Sequence, residues 1–65
     1  MSAPALLDAA LLHVDSQSIR SWVGGQRQVW EDIATRWLVK YGEKYSDSDA
    51  VTRFTTLILC EAIGL

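Results

Sequence analysis

The feature that most constrains this chain is the pattern of residues 26–41. Val29, Trp30, Ile33, Ala34, Trp37, Leu38 and Tyr41 recur there at alternating steps of one and three. An α-helix gathers positions spaced in that way on one face, whereas a strand would scatter them over both sides of a sheet. The apolar arc spans about half the helix circumference, wider than the roughly 100° stripe of an ordinary surface helix. Its middle holds Trp30, Trp37 and Tyr41, aromatic side chains of a kind that can each bury roughly 150–250 Å². The opposite side carries Gln28, Glu31, Asp32, Thr35 and Arg36, with Asp32 and Arg36 at the i,i+4 spacing of a favourable ion pair. Arg27 and Lys40 lie at the edges of the arc, where their stems can cover apolar surface. Gly42 follows as a stop signal.

The flanking segments also read as helices. Ser2 is a good cap and Pro4 suits a first turn, ahead of residues 5–14, whose apolar side chains run nearly all round the helix. So little polar surface predicts a helix covered on several sides, inside the fold or between subunits. Asp15 and Ser16 mark a second start. Residues 16–23 place Ile19, Trp22 and Val23 on one side, and Gly24-Gly25 is expected to end them in the left-handed conformation that glycine reaches cheaply. Residues 43–48 read as a loop with Tyr45 folded back, and residues 46–49 offer several caps. In residues 49–63, Val51, Phe54, Leu57, Ile58 and Ala62 make a helical stripe, with Leu59 and Ile63 as a second apolar flank. The run of β-branched residues from Val51 onward would also suit a strand, but a lone strand has nothing to pair with, so helix is the preferred reading.

These elements predict an all-α fold: one small domain over residues 1–65, a bundle of three to four short helices with the 26–41 helix at its centre. A chain of 65 residues buries only about 60% of its unfolded surface, and one such core supplies roughly 3–5 kcal/mol. The single cysteine, Cys60, excludes an intramolecular disulfide, and the single histidine excludes a His/Cys metal cage. With 49% apolar residues and a mean hydropathy of +0.09, the remaining route to stability is association. The bundle is therefore expected to be completed as a homodimer or higher oligomer. Its interface is expected to include Trp30, Ile33, Trp37, Leu38, Tyr41, Leu57 and Ile58, with Trp, Tyr and Arg as hot-spot types.

The net charge is −2, divided as −1 over residues 1–25, +1 over 26–45 and −2 over 46–65. No strong basic field of the kind that dominates nucleic-acid affinity is present, although five of the six cations fall within residues 20–44. The first cation is Arg20, so no basic stretch precedes an apolar run as in a secretory signal. The longest strongly apolar run in the C-terminal half covers residues 57–60, far short of a membrane span. A lone thiol points to a reducing cytoplasm.

Residues 9–24 carry a second pattern. Ala9 is a small residue, Leu12, Val14, Ile19 and Trp22 follow it by three, five, ten and thirteen positions, and Asp15 is a cap type. This arrangement resembles the helix-turn-helix of the repressor/Cro type. The resemblance implies a recognition helix over residues 16–23, with Ser16, Gln17, Ser18, Arg20 and Ser21 facing a major groove, where Gln and Arg read adenine and guanine edges. The chain departs from the pattern at His13, where glycine is usual, and at Asp8, where an apolar residue is usual. A helix–turn–helix corner used for packing is the preferred reading of the segment.

No other motif carries chemistry. Gly24-Gly25 lacks the Lys-Ser/Thr continuation of a phosphate loop. Cys60 has no activating base near it in sequence, His13 and Asp8 are five apart, and Glu61 is expected in water at a frayed helix end. The chain is accordingly expected to use no metal or cofactor and not to be an enzyme. The leading expectation is a small cytoplasmic interaction or regulatory protein, an adaptor or inhibitor of bacterial or phage type. It would present a Trp-rich helical surface to itself and to a larger protein and have no membrane role. The alternative is a compact DNA-binding regulator.

Overall fold

The computed structural model describes residues 1–64, which form four α-helices and no strand: α1 (Ala3–Leu11), α2 (Gln17–Gly24), α3 (Arg27–Tyr41) and α4 (Asp47–Ile63). Three of the four begin on a serine. Ser2, Ser16 and Ser46 each accept, through Oγ, the backbone N–H three residues on, at 3.2 Å in every case. These bonds satisfy donors that the first turn of a helix leaves unpaired. Asp47 and Asp49 add negative charge at the N-terminus of α4, where the helix dipole favours it.

The segment that could have been a strand is helical throughout. Its threonines are accommodated by turning their hydroxyls back onto the helix: Thr52, Thr55 and Thr56 donate to the carbonyls of Ser48, Val51 and Thr52. That bonding satisfies the hydroxyls inside the helix and offsets the usual preference of β-branched residues for sheets. Thr55 is also the one buried polar residue in the core, and its Oγ1 reaches the carbonyl of Ala10 at 3.4 Å across the α1–α4 contact.

Neither expected glycine stop, Gly24-Gly25 or Gly42, uses the left-handed conformation. Gly24 lies inside α2, and Gly25 has φ −70. The turn closes instead by Gly25 N–H donating to the Ser21 carbonyl and Gln26 N–H to the Val23 carbonyl, both at 2.9 Å, and α3 starts at once. Gly42 has φ −59, with its N–H bonded to the Leu38 carbonyl at 2.7 Å. A Cβ at that position would meet the same oxygen at 2.5 Å, so closeness rather than handedness selects glycine. Only Gly64 adopts positive φ among the described residues, ending α4 at φ 77.

The central helix is α1, not α3 as the amphipathic pattern implied. Both α3 and α4 pack principally on α1 and only slightly on each other. Leu6, Leu7 and Ala10 of α1 are fully buried between them, against Trp30 and Ala34 of α3 and Ala50, Phe54 and Ile58 of α4. Alanines at Ala10, Ala34 and Ala50 let the backbones come close, while the wide apolar arc of α3 is only partly used by this contact. Val14 and Val23 close the α2 end of the core. The all-round apolar pattern of α1 is thus explained within one chain, although Leu12, just past its end, stays 79% exposed.

Arg27 fastens α1 to α3. Its Nη1 lies 2.9 Å from Asp8 and its Nε 2.7 Å from Glu31. The hydrogen bond to Asp8, ahead of the one to Glu31, raises the pKa of the guanidinium above its ordinary value. The expected Asp32–Arg36 pair is not formed; Asp32 accepts from Gln28 Nε2 at 3.2 Å instead.

The accessible surface is 4215 Å². Scaling from mass gives a monomer of this size roughly 4,200 Å². The chain therefore closes an ordinary core by itself, and its exposed apolar area is a local feature.

Candidate functional site

Because the α3 and α4 backbones pack mainly on α1 and meet each other chiefly through aromatic side chains, a trough is left between them that no α1 residue lines. Aromatic side chains fill its floor. Trp22 meets Trp30 edge-on with centroids 5.7 Å apart, and Phe54 stands edge-on between Trp30 at 6.2 Å and Trp37 at 5.8 Å. Trp37 continues to Tyr41 at 5.1 Å and Tyr45 at 6.2 Å, and the two tyrosines stack on each other at 6.0 Å. All three tryptophans, both tyrosines and the one phenylalanine of the chain are thus joined in one string. The geometry is the edge-to-face and offset arrangement that ring quadrupoles prefer. Tyr45 is folded back onto this string, as expected of its loop.

The trough divides into two grooves that share Leu57. One, of ≈ 270 Å³, is lined by Trp22, Val29, Trp30, Ile33 and Leu57, with Gln26 and Glu61 as its polar groups. The other, of ≈ 350 Å³, is lined by Trp37, Tyr41, Tyr45 and Leu57, with Arg53, Thr56 and Cys60 along α4. Cations collect at the tyrosine end. The Arg53 guanidinium carbon lies 4.2 Å from the Tyr45 ring centroid, and the Lys40 and Lys44 ammonium groups lie 5.2 and 5.8 Å from that of Tyr41. A cation over a ring face is held by the ring quadrupole. The ion pairs among the described residues both involve Arg27, so Arg53 and Glu61 have no charged partner there.

The sequence-expected interface residues separate into floor and rim. Trp30 is 3% exposed and Ile58 is fully buried, so both belong to the core. Ile33, Trp37, Leu38, Tyr41 and Leu57 are half-buried, and all but Leu38 line a groove. Trp22, 40% exposed, and Val29, 53% exposed, complete the rim, together with Arg53 and Glu61. Sequence reasoning did not pick Arg53 and Glu61 as interface residues. Their signal was available: Arg53, Leu57 and Glu61 stand four apart, an apolar residue flanked by opposite charges on one helical stripe.

The candidate recognition helix is α2. Ser16, Gln17, Ser18, Arg20 and Ser21 are all exposed, with Ser16 engaged as cap and Gln17 Nε2 donating to Ser21 Oγ at 3.3 Å. The apolar positions of the repressor-like pattern divide. Val14 is buried and Ile19 half-buried, whereas Leu12 and Trp22 are exposed. Arg20 is the single cation of α2, near Asp8 on a shallow surface shared by the two helices.

Among the described residues no three His, Cys, Asp or Glu side chains come together as metal ligands, and no helix is long and apolar enough to cross a membrane. No protein-family model, curated protein or solved structure matches the chain.

Proposed function

We propose that this is a non-enzymatic interaction protein, an adaptor or inhibitor, whose α3–α4 trough receives a helical segment of another polypeptide. The observation that carries the reading is the trough itself. Its floor is a rigid aromatic string anchored by buried Phe54, and its rim leaves Trp22, Val29 and Leu57 accessible. Apolar grooves with aromatic anchors between helices are the form in which amphipathic helices are recognised. A half-buried free thiol, Cys60, on the wall suits a reducing compartment such as the cytoplasm.

A photo-crosslinking residue in place of Val29 tests the reading, with the same residue in place of Val39 as control. Val39 is 85% exposed and lines neither groove. The expected result is a polypeptide adduct from position 29 and none from position 39, in native cells and with purified protein. No adduct from position 29 in either setting refutes the reading.

DNA binding through α2 is the second reading, supported by the outward polar row Gln17, Ser18, Arg20 and Ser21. It requires duplex affinity that falls steeply with salt and is lost when Gln17 and Arg20 become alanine. No measurable duplex binding at low salt eliminates it.

A further inference from the structure

The charges along the trough identify its occupant. Arg53, Leu57 and Glu61 stand four apart on one stripe of α4, and an α-helix rises about 1.5 Å per residue, so the two charged residues leave the backbone about 6 Å along the axis on either side of Leu57. Leu57 is common to both grooves; one groove carries Glu61 and the other Arg53. A surface with opposite charges at equal distances from a central apolar residue is complementary to itself after a half-turn. Two-fold interfaces require this self-complementarity.

Resting on the interaction reading above, we infer that the trough is covered by the same face of a second copy of this chain. The two α4 helices run antiparallel across a two-fold axis at Leu57, with Arg53 of each copy paired to Glu61 of the other. The half-turn lays the Trp22–Ile33 groove of one copy over the Trp37–Tyr41 groove of the next. Leu57 meets its own counterpart, and Thr56 and Cys60 offer small side chains where the helices come close. Arg53 is prepared for this role. Its guanidinium lies over Tyr45, and a stacked guanidinium keeps its N–H edges free for a carboxylate. Asp49, one turn earlier on the same helix, forms no ion pair with it. Glu61 is exposed at the other groove and likewise unpaired among the described residues.

The test is a charge exchange read by sedimentation. The wild-type chain is expected to be dimeric at micromolar concentration. Arg53→Glu alone places two repulsive acid–acid contacts in the dimer, and Glu61→Arg alone places two repulsive base–base contacts. Each is expected to raise the dissociation constant roughly ten- to a hundredfold. An equimolar mixture of the two variants then restores both attractive pairs in a heterodimer, and is expected to associate about as tightly as wild type. Weakening in each single variant together with recovery in the mixture is the pattern of Arg53 facing Glu61 across the two-fold. Helical circular dichroism of each variant confirms that the chain still folds. A wild-type monomer at about 100 μM, single variants that dimerise normally, or a mixture that stays monomeric each overturns the inference. If any of these occurs while the probe at position 29 still labels a different polypeptide, the dimer is wrong and the interaction reading stands. If the probe labels nothing, both are wrong.

Discussion

Phe54 is the residue on which the aromatic string depends, and replacing it with leucine isolates what the string contributes. Phe54 is fully buried and stands edge-on to both Trp30 and Trp37. Leucine keeps an apolar side chain there, so most of the burial term survives and the two ring–ring contacts are lost. Such contacts contribute about 0.5–1.5 kcal/mol each beyond area, so Phe54→Leu is expected to cost about 1–3 kcal/mol. A domain of this size loses roughly 4–8 °C in Tm per kcal/mol, which places the variant about 4–24 °C below wild type. Phe54→Ala, at about 3–5 kcal/mol, removes as much as the whole core of so small a domain supplies, and is expected to unfold it. Thermal unfolding followed by tryptophan fluorescence and far-UV circular dichroism measures both, at fixed protein concentration because association would itself shift Tm. A Phe54→Leu variant that melts within about 2 °C of wild type would refute the claim that the string is a structural unit.

Three further substitutions test the local account by chemical denaturation. Gly42→Ala forces a methyl toward the Leu38 carbonyl, a 2.5 Å approach, and is expected to destabilise by about 1–3 kcal/mol. Gly24→Ala adds a methyl with nothing within 4 Å in a helical residue, and is expected to stabilise by about 0.4–1 kcal/mol; equal effects of the two would contradict the turn geometry. Ser46→Ala removes the cap of α4 and is expected to cost about 0.5–2 kcal/mol, against little change for Ser48→Ala, whose side chain caps nothing.

The helices were legible because each carries both a pattern and a boundary signal. The repeat at residues 26–41 became α3, and Ser2, Ser16 and Ser46 start the other three helices. What the pattern could not reveal was rank. The longer amphipathic face, on α3, looked like the centre, yet α1, shorter and apolar nearly all round, holds that place. Helical spacing reports how much apolar surface a helix has, not how much of it neighbouring helices cover. Leu6, Leu7 and Ala10 are enclosed from two sides because α3 and α4 both pack on α1.

The interface residues show the same limit. Trp30, Trp37 and Ile58 were grouped by face, but Trp30 and Ile58 turn to the core and Trp37 packs on Phe54 while lining a groove. An alanine at Trp37 would therefore disturb folding and association together. Glu61 was placed in water at a frayed helix end, and Arg53 was not singled out for the interface, because charges on a helix are ordinarily read as solvated. In the structure each lines one of the two grooves that share Leu57, a juxtaposition that depends on how α3 lies beside α4.

The position of Leu57 offers the most direct measurement. In a Cys60→Ser background, Leu57→Cys puts a thiol on the proposed two-fold axis, where two packed helices would approach most closely. A disulfide forms only when the two Cα atoms come within about 7 Å. Mild oxidation is expected to convert this variant to a covalent dimer at micromolar concentration, while Val39→Cys in the same background forms no covalent dimer. A Leu57→Cys variant that resists crosslinking, or crosslinks no faster than Val39→Cys, would contradict the claim that this face meets a second copy of the chain.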